Sequence, residues 1–276
     1  MSDYVEKKFA ASAIEVNYAE GPDNGPPLVL IHGLSGYWAD WEPVIDQFSA
    51  NWHVNALDLR GHGGSGRVPG GYAFDKYSVE VIEFLQGVVG QPAFIVGHSL
   101  GGVTAGVLGA AAPELVRAVA LEDPPIYTNE WFDESPFAPS FQAAMDIRNK
   151  SLGMTDTAIE IRKIDDVSSD EQIVMRAIAI TKTDPEVWKV VLEGREAESL
   201  NPDDVLSAIT APVLLMQGNP DMGGALRDVE ASRAVELMKQ GRYVKWDDVG
   251  HHMHSAEPER FVQLVNAFFR QVQRKG

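Results

Sequence analysis

The sequence predicts an α/β fold: a mostly parallel central sheet covered by helices on both faces and interrupted by one helical insertion. Three observations carry this. Short apolar or β-branched runs recur at 28–31 (LVLI), 54–59 (VNALDL), 94–96 (FIV), 116–121 (VRAVAL), 213–216 (VLLM) and 243–246 (YVKW), several bounded by Gly or Pro. Runs this short with little polar alternation read as strands buried on both faces. Longer amphipathic stretches at 75–89, 100–112, 228–239 and 257–273 lie between most of them. Strands alternating with helices make a parallel sheet that needs a helical layer on each side. Between Leu121 and Val213, finally, about 90 residues carry helical patterns and no convincing strand.

Taken in order, Val5 to Phe9 and Ile14 to Tyr18 alternate as an antiparallel pair at the sheet edge, followed by the turn Gly21-Pro22-Asp23-Asn24-Gly25. The last helix opens with Pro258 and sets Phe261, Val262, Val265, Phe268, Phe269 and Val272 at helical spacing. The chain divides into a core, residues 1–123 and 211–276, and a helical cap over 124–210. That insertion holds 17 acidic and 8 basic residues, so its outer face must be strongly acidic. It also holds Ile126, Tyr127, Trp131, Phe132, Phe137, Phe141, Met145 and Trp188, too much apolar area to leave in water. A lid whose inner face lines a pocket accounts for both.

Composition narrows the function classes. Forty acidic against 23 basic residues leave a net charge of −17, which repels nucleic acid and anionic lipid at long range. No apolar run reaches the length of a membrane span. The absence of cysteine removes disulfides, thiolate zinc sites and cysteine nucleophiles. The start MSDYVEKKF has no apolar leader core, and a cytoplasmic location is expected.

The chemistry begins at Gly97-His98-Ser99-Leu100-Gly101, between the run Phe94-Ile95-Val96 and a helix of small residues. At such a strand-to-helix turn the serine takes a strained backbone conformation, and the residues two before and two after it must be small. A serine needs a base held by a carboxylate. His251, in the loop between the last strand and the final helix, is the candidate base. Asp221, just after the run 213–216, is the candidate acid, with Glu122 and Asp123 at the preceding strand end as competitors. The N–H groups of Leu100 and of Leu34, in His32-Gly33-Leu34-Ser35-Gly36, are candidate oxyanion donors. Tyr37, Trp38, His98, Tyr127, Trp131 and Phe132 are candidate pocket residues. The run His251-His252-Met253-His254 lacks the spacing of a metal site, and Gly61 to Gly66 lack the following helix of a nucleotide fold, so no metal and no cofactor is expected.

These motifs, together with Asp58-Leu59-Arg60-Gly61-His62-Gly63-Gly64-Ser65, Gly218 with Asp221, and Gly250-His251 followed by Pro258-Glu259, resemble the α/β-hydrolase fold family over essentially the whole chain outside the insertion. The insertion falls where members of that family carry their helical cap. The resemblance implies structural roles for Arg60 and His62. It disfavours epoxide hydrolases and haloalkane dehalogenases, which attack with an aspartate at the elbow, because the residue here is Ser99. Carbon–carbon bond hydrolases of the family usually place asparagine where this chain has His98. Perhydrolases, hydroxynitrile lyases and slow-turnover small-molecule receptors share the serine, histidine and acid. The expectation is a serine carboxylesterase, with lactonase the closest variant, acting on a small, neutral, apolar ester or lactone.

Overall fold

The computed structural model describes residues 4–127 and 137–274. Strand β1 (Val5–Ala10) pairs antiparallel with β2 (Glu15–Glu20), and β2 pairs antiparallel with β4 (His53–Leu57). From there to the far edge every pairing is parallel. The sheet of eight strands runs β1-β2-β4-β3-β5-β6-β7-β8, with β3 Pro27–Ile31, β5 Ala93–His98, β6 Val116–Glu122, β7 Val213–Gln217 and β8 Gly241–Lys245.

The continuous apolar runs have a direct cause. Successive side chains of a strand point to opposite faces, and here each face carries a core. Leu28, Leu30, Phe94, Val96, Leu214 and Met216 join one, together with Trp41, Phe48, Phe261 and Phe269. Their neighbours Val29, Ile31, Ile95, Val213 and Leu215 join the other. The first face is covered by α1 (Glu42–Ser49) and, at the chain end, by the helix over 258–273. The second is covered by α2 (Ser78–Phe84) and α3 (Leu100–Ala111). The run at 243–246 departs from expectation: β8 is the edge strand, its first three residues exposed and the rest half-buried, because it has a neighbour on one side only.

Between β6 and β7 the described residues form α4 (Ala138–Asn149), α5 (Met154–Arg162), α6 (Asp170–Lys182), α7 (Pro185–Leu192) and α8 (Pro202–Ala208), and no strand. Local sequence marks their starts. Ser169 Oγ accepts the Gln172 N–H while the Gln172 side chain accepts the Ser169 N–H, and Asp184 caps α7 ahead of Pro185. Ala144, Ile147, Ile161, Ile173, Ile180 and Trp188 make a separate small core. Val187, Val190 and Leu206 instead pack into the core under the sheet, which ties the later part of the insertion to the rest of the molecule. After β7 come α9 (Asp228–Leu237), the short α10 (Met253–Ala256) and α11 (Pro258–Gln273).

Candidate active site

Among the described residues, three of the four non-glycine residues with positive φ, Ser35, Ser99 and Asp123, lie at strand ends on one edge of the sheet. Backbone strain of this kind persists only where surrounding structure holds it. Ser99, between β5 and α3, has φ 53° and ψ −117°. A Cβ on Gly97 would stand 2.1 Å from the Gly101 carbonyl oxygen, and one on Gly101 would stand 2.0 Å from that of Ile31. The two glycines are therefore required by backbone crowding, as the five-residue pattern implies. A Cβ on Gly33 would come within 3.1 Å of Ser99 Cβ, so the loop after β3 runs directly alongside the serine.

That loop is held by rings. His32 Nδ1 donates to the Gly33 carbonyl at 2.7 Å and its Nε2 accepts the Leu59 N–H at 3.0 Å. His62 Nδ1 donates to the Arg60 carbonyl at 2.9 Å and its Nε2 accepts the Ser35 N–H at 3.3 Å. Both rings are fully buried, and burial lowers their pKa values to about 4 for His32 and about 3 for His62, where the His32 ring adds to the effect. Neutral imidazole is the form each hydrogen-bond pattern needs. Ser35 Oγ accepts the Trp188 indole N–H at 2.5 Å, a link from the insertion to the loop. Arg60 pairs with buried Glu80 and donates to the Gly71 carbonyl, and the Asp58 carboxylate accepts from the Trp38 and Gly64 amides and from Asn17. Arg60 and His62 thus have the structural contacts their motif implies.

His251 is brought to the same place, but its carboxylate is not Asp221. Asp123, the first residue beyond β6, is fully buried and its Oδ2 accepts from His251 Nδ1 at 2.7 Å. The same carboxylate accepts the Gly218 N–H at 3.0 Å, the Ala225 N–H at 2.6 Å and the Leu226 N–H at 3.3 Å. Asp221 is exposed in a short turn whose N–H is taken by the Asn219 side chain. The expectation for Asp221 is corrected for a physical reason: the loop after β7 turns its backbone amides inward around Asp123 and its own acidic side chain outward. Asp123 was one of the two competitors in the sequence.

Ser99 and His251 open into one cavity of about 430 Å³, mouth included. Leu34 and Leu100, the expected oxyanion residues, line it beside them, with Pro125 and Ala225 from the segments around Asp123. Phe74, Phe137, Phe141 and Val191 complete the wall, and the Phe137 ring lies 5.0 Å from that of His251. Among the described residues no carboxylate and no lysine or arginine lines the cavity. The expected pocket residues fare differently. Tyr37 is buried against Ala39 and Ala179, with Trp38 packed at the edge of that cluster. Tyr127 lies in the core with its hydroxyl donated to Asp203 at 2.9 Å, and His98 is buried behind the serine. None of these four lines the cavity, because each has a packing partner elsewhere. Trp131 and Phe132 lie outside the described residues. Of the described aromatic residues of the insertion, Phe137 and Phe141 reach the cavity, one helical turn apart.

Comparison with known proteins gives the frame for this geometry. A serine hydrolase-like protein of Danio rerio is 33% identical over 105 residues, 37% of this chain and 32% of that protein, so the likeness spans less than a third of its length. Epoxide hydrolase 1 of Caenorhabditis elegans is 24% identical over 94% of this chain and 69% of its own. Among solved structures, the enol-lactonase from Burkholderia xenovorans LB400 superposes with a TM-score of 0.73 at 19% identity, over 96% of this chain and 100% of that one, a likeness of fold. The Alpha/beta hydrolase family matches residues 28–264, from β3 to the middle of the final helix, and the chain belongs to that family.

Proposed function

We propose that the protein is a serine hydrolase of neutral carboxylic esters, with lactones as the closest variant. The observation that carries this reading is the pairing of Asp123 with His251 at 2.7 Å beside Ser99 in its strained turn, serine and histidine facing one apolar cavity. With Nδ1 of His251 held by Asp123, Nε2 is the nitrogen left to take the Ser99 proton as Oγ attacks the carbonyl carbon. The Leu34 and Leu100 amides, neither bonded to another group among the described residues, stabilise the oxyanion. Collapse of the tetrahedral species breaks the ester C–O bond, and the imidazolium returns its proton to the leaving alcohol. Water, deprotonated by the same imidazole, then attacks the acyl-enzyme and releases the acid and Ser99.

The likeness to an epoxide hydrolase does not extend to that chemistry in this reading, because attack at the elbow is by Ser99 and not by a carboxylate. The described walls, with no carboxylate, lysine or arginine among them, favour a neutral substrate with an aryl or medium acyl group over an anionic one, since a carboxylate there would lose its hydration without a partner. Residues 124–210 act as the cap, supplying Pro125, Phe137, Phe141 and Val191 to the walls, while their acidic outer face turns polyanions away. The test is steady-state hydrolysis of p-nitrophenyl esters with two to twelve acyl carbons, beside Ser99→Ala. Sustained turnover with a chain-length optimum, abolished in the variant, supports the reading. A single stoichiometric burst points to a receptor, and no reaction from folded protein overturns the esterase.

A further inference from the structure

The hydrolytic reading leaves a buried group of side chains unused. Behind Ser99 the His98 ring lies 4.6 Å from that of His251, 4.8 Å from that of His252 and 5.0 Å from that of His254. Consecutive residues at the end of β6 each hold one histidine: Asp123 takes His251, and Glu122 takes His254. Both Glu122 oxygens lie 2.9 Å from His254 Nδ1, and Oε1 also accepts the His254 N–H at 2.9 Å. This second pair does not line the cavity. It is buried beneath it, packed by Trp41 and Phe261, with Asp40 beside it. Burial opposes charge on His254, but Glu122, with Asp40 adding to it, outweighs burial and holds its pKa above the ordinary value. A buried ion pair with its hydrogen bonds satisfied resists displacement, since breaking it strands a charge.

His98 rests on that pair. Its Nε2 lies 3.1 Å from the main-chain carbonyl oxygen of His251. A carbonyl only accepts, so Nε2 carries the proton. Burial, reinforced by the neighbouring imidazoles, pushes the His98 pKa well below its ordinary value, so the ring is neutral and donates from one fixed tautomer. His98, Glu122 and His254 offer donor atoms within 4.8 Å of one another. One nitrogen of each ring is engaged in hydrogen bonds, Nε2 of His98 with a carbonyl and Nδ1 of His254 with Glu122.

We propose that His98 is a positioning residue: seated against the buried Glu122–His254 pair, it donates to the His251 carbonyl and so fixes where the His251 ring stands relative to Ser99. This rests on the proposed roles of Ser99, His251 and Asp123. A displacement of about 1 Å at a reacting group costs on the order of 100-fold in rate. His98→Gln keeps an N–H donor close to the place of Nε2, whereas His98→Leu keeps the bulk and loses the donor. On p-nitrophenyl esters, His98→Leu should lower kcat by about 10- to 100-fold with KM within about twofold, and His98→Gln should restore most of it. Packing alone would make leucine at least as good as glutamine in this buried place. Equal or better turnover by folded His98→Leu overturns the proposal.

A second measurement needs no activity. Nitrogen-15 spectra of the histidine rings in the unsubstituted protein should show His98 neutral and Nε2-protonated from about pH 5 to 9, and His98→Leu should shift the His251 ring signals. A His98 that titrates near its ordinary value, or that carries its proton on Nδ1, removes the hydrogen bond and overturns the proposal. The expected tautomer and His251 shift in a protein that hydrolyses no ester would leave the positioning standing and sink the esterase reading instead.

Discussion

The turn after β5 and the loop after β7 meet at the same site but are written into the sequence in different ways. Around Ser99 the demand is steric. Main-chain atoms crowd Gly97 and Gly101 to about 2 Å of any added Cβ, so residue identity is dictated and the five-residue pattern is visible in the sequence. After β7 the demand is for amides. Gly218, Ala225 and Leu226 each offer Asp123 a backbone N–H; crowding fixes Gly218, whose Cβ would stand 2.2 Å from the Gly250 carbonyl oxygen, but the amides of Ala225 and Leu226 are ones that almost any residue supplies. The conspicuous side chain in that loop, Asp221, points to solvent. Side-chain chemistry is legible where a side chain is needed, and misleads where the main chain does the work.

The strongest way to break this contrast is to exchange the two acids. Asp123→Asn should lower kcat for p-nitrophenyl ester hydrolysis by about 10³- to 10⁴-fold, because the amide no longer stabilises the imidazolium or fixes its tautomer. Asp221→Asn should leave kcat and KM within about twofold. The reverse ranking restores Asp221 as the acid.

A smaller effect tests the steric half. Gly101→Ala drives a Cβ into the Ile31 carbonyl. Only backbone movement can relieve that clash, at a cost of about 1–3 kcal/mol or more. Urea unfolding should show the loss, whereas Gly153→Ser, at an ordinary φ of −70° and with a Cβ that would meet nothing within 4 Å, should cost far less. Equal losses at the two positions would mean that crowding is not what makes the elbow glycine necessary.

The same distinction explains how much could be read in advance. The alternating two-faced cores made every buried strand legible, from Leu28 to Ile31 through Val213 to Gln217, because burial on both faces demands uninterrupted apolar residues. That Ser99, His251, Leu34 and Leu100 come together around one cavity followed from local motifs at strand ends. The pocket did not. Tyr37, Trp38 and Tyr127 are large and apolar, as a pocket would want, yet so is a core, and their partners Ala179 and Asp203 are distant in sequence. Phe74 reaches the cavity from a segment with no site signal, and Val191 from a helix that reads as ordinary amphipathic packing. The spacing of Phe137 and Phe141 at i, i+4 was a usable signal for one shared face.

Between the two extremes stands the loop after β3, where a side chain does the holding but does so as a neutral ring. His62 stays uncharged down to about pH 3 because burial and the neighbouring His32 oppose its protonation. In the unfolded chain a histidine titrates near 6.5. From about pH 6.5 down to about pH 3 the unfolded chain therefore binds one more proton at this position than the folded one. Stability must fall with decreasing pH across that window, by about 1.4 kcal/mol per pH unit for each such histidine. Carboxyls such as those of half-buried Asp40 and buried Glu196, pushed up to about 7 chiefly by desolvation, pull the other way, but they are common to parent and variant and cancel in the difference. His62→Gln keeps an acceptor for the Ser35 amide and removes the titration. Urea unfolding from pH 7 to pH 4.5 should give the variant a shallower loss of stability, the gap between the two proteins closing by about 1 kcal/mol or more per pH unit below 6.5. Parallel slopes would mean that His62 takes up its proton in the folded protein as it does in the unfolded chain, and that its ring is not the neutral acceptor holding Ser35 in place.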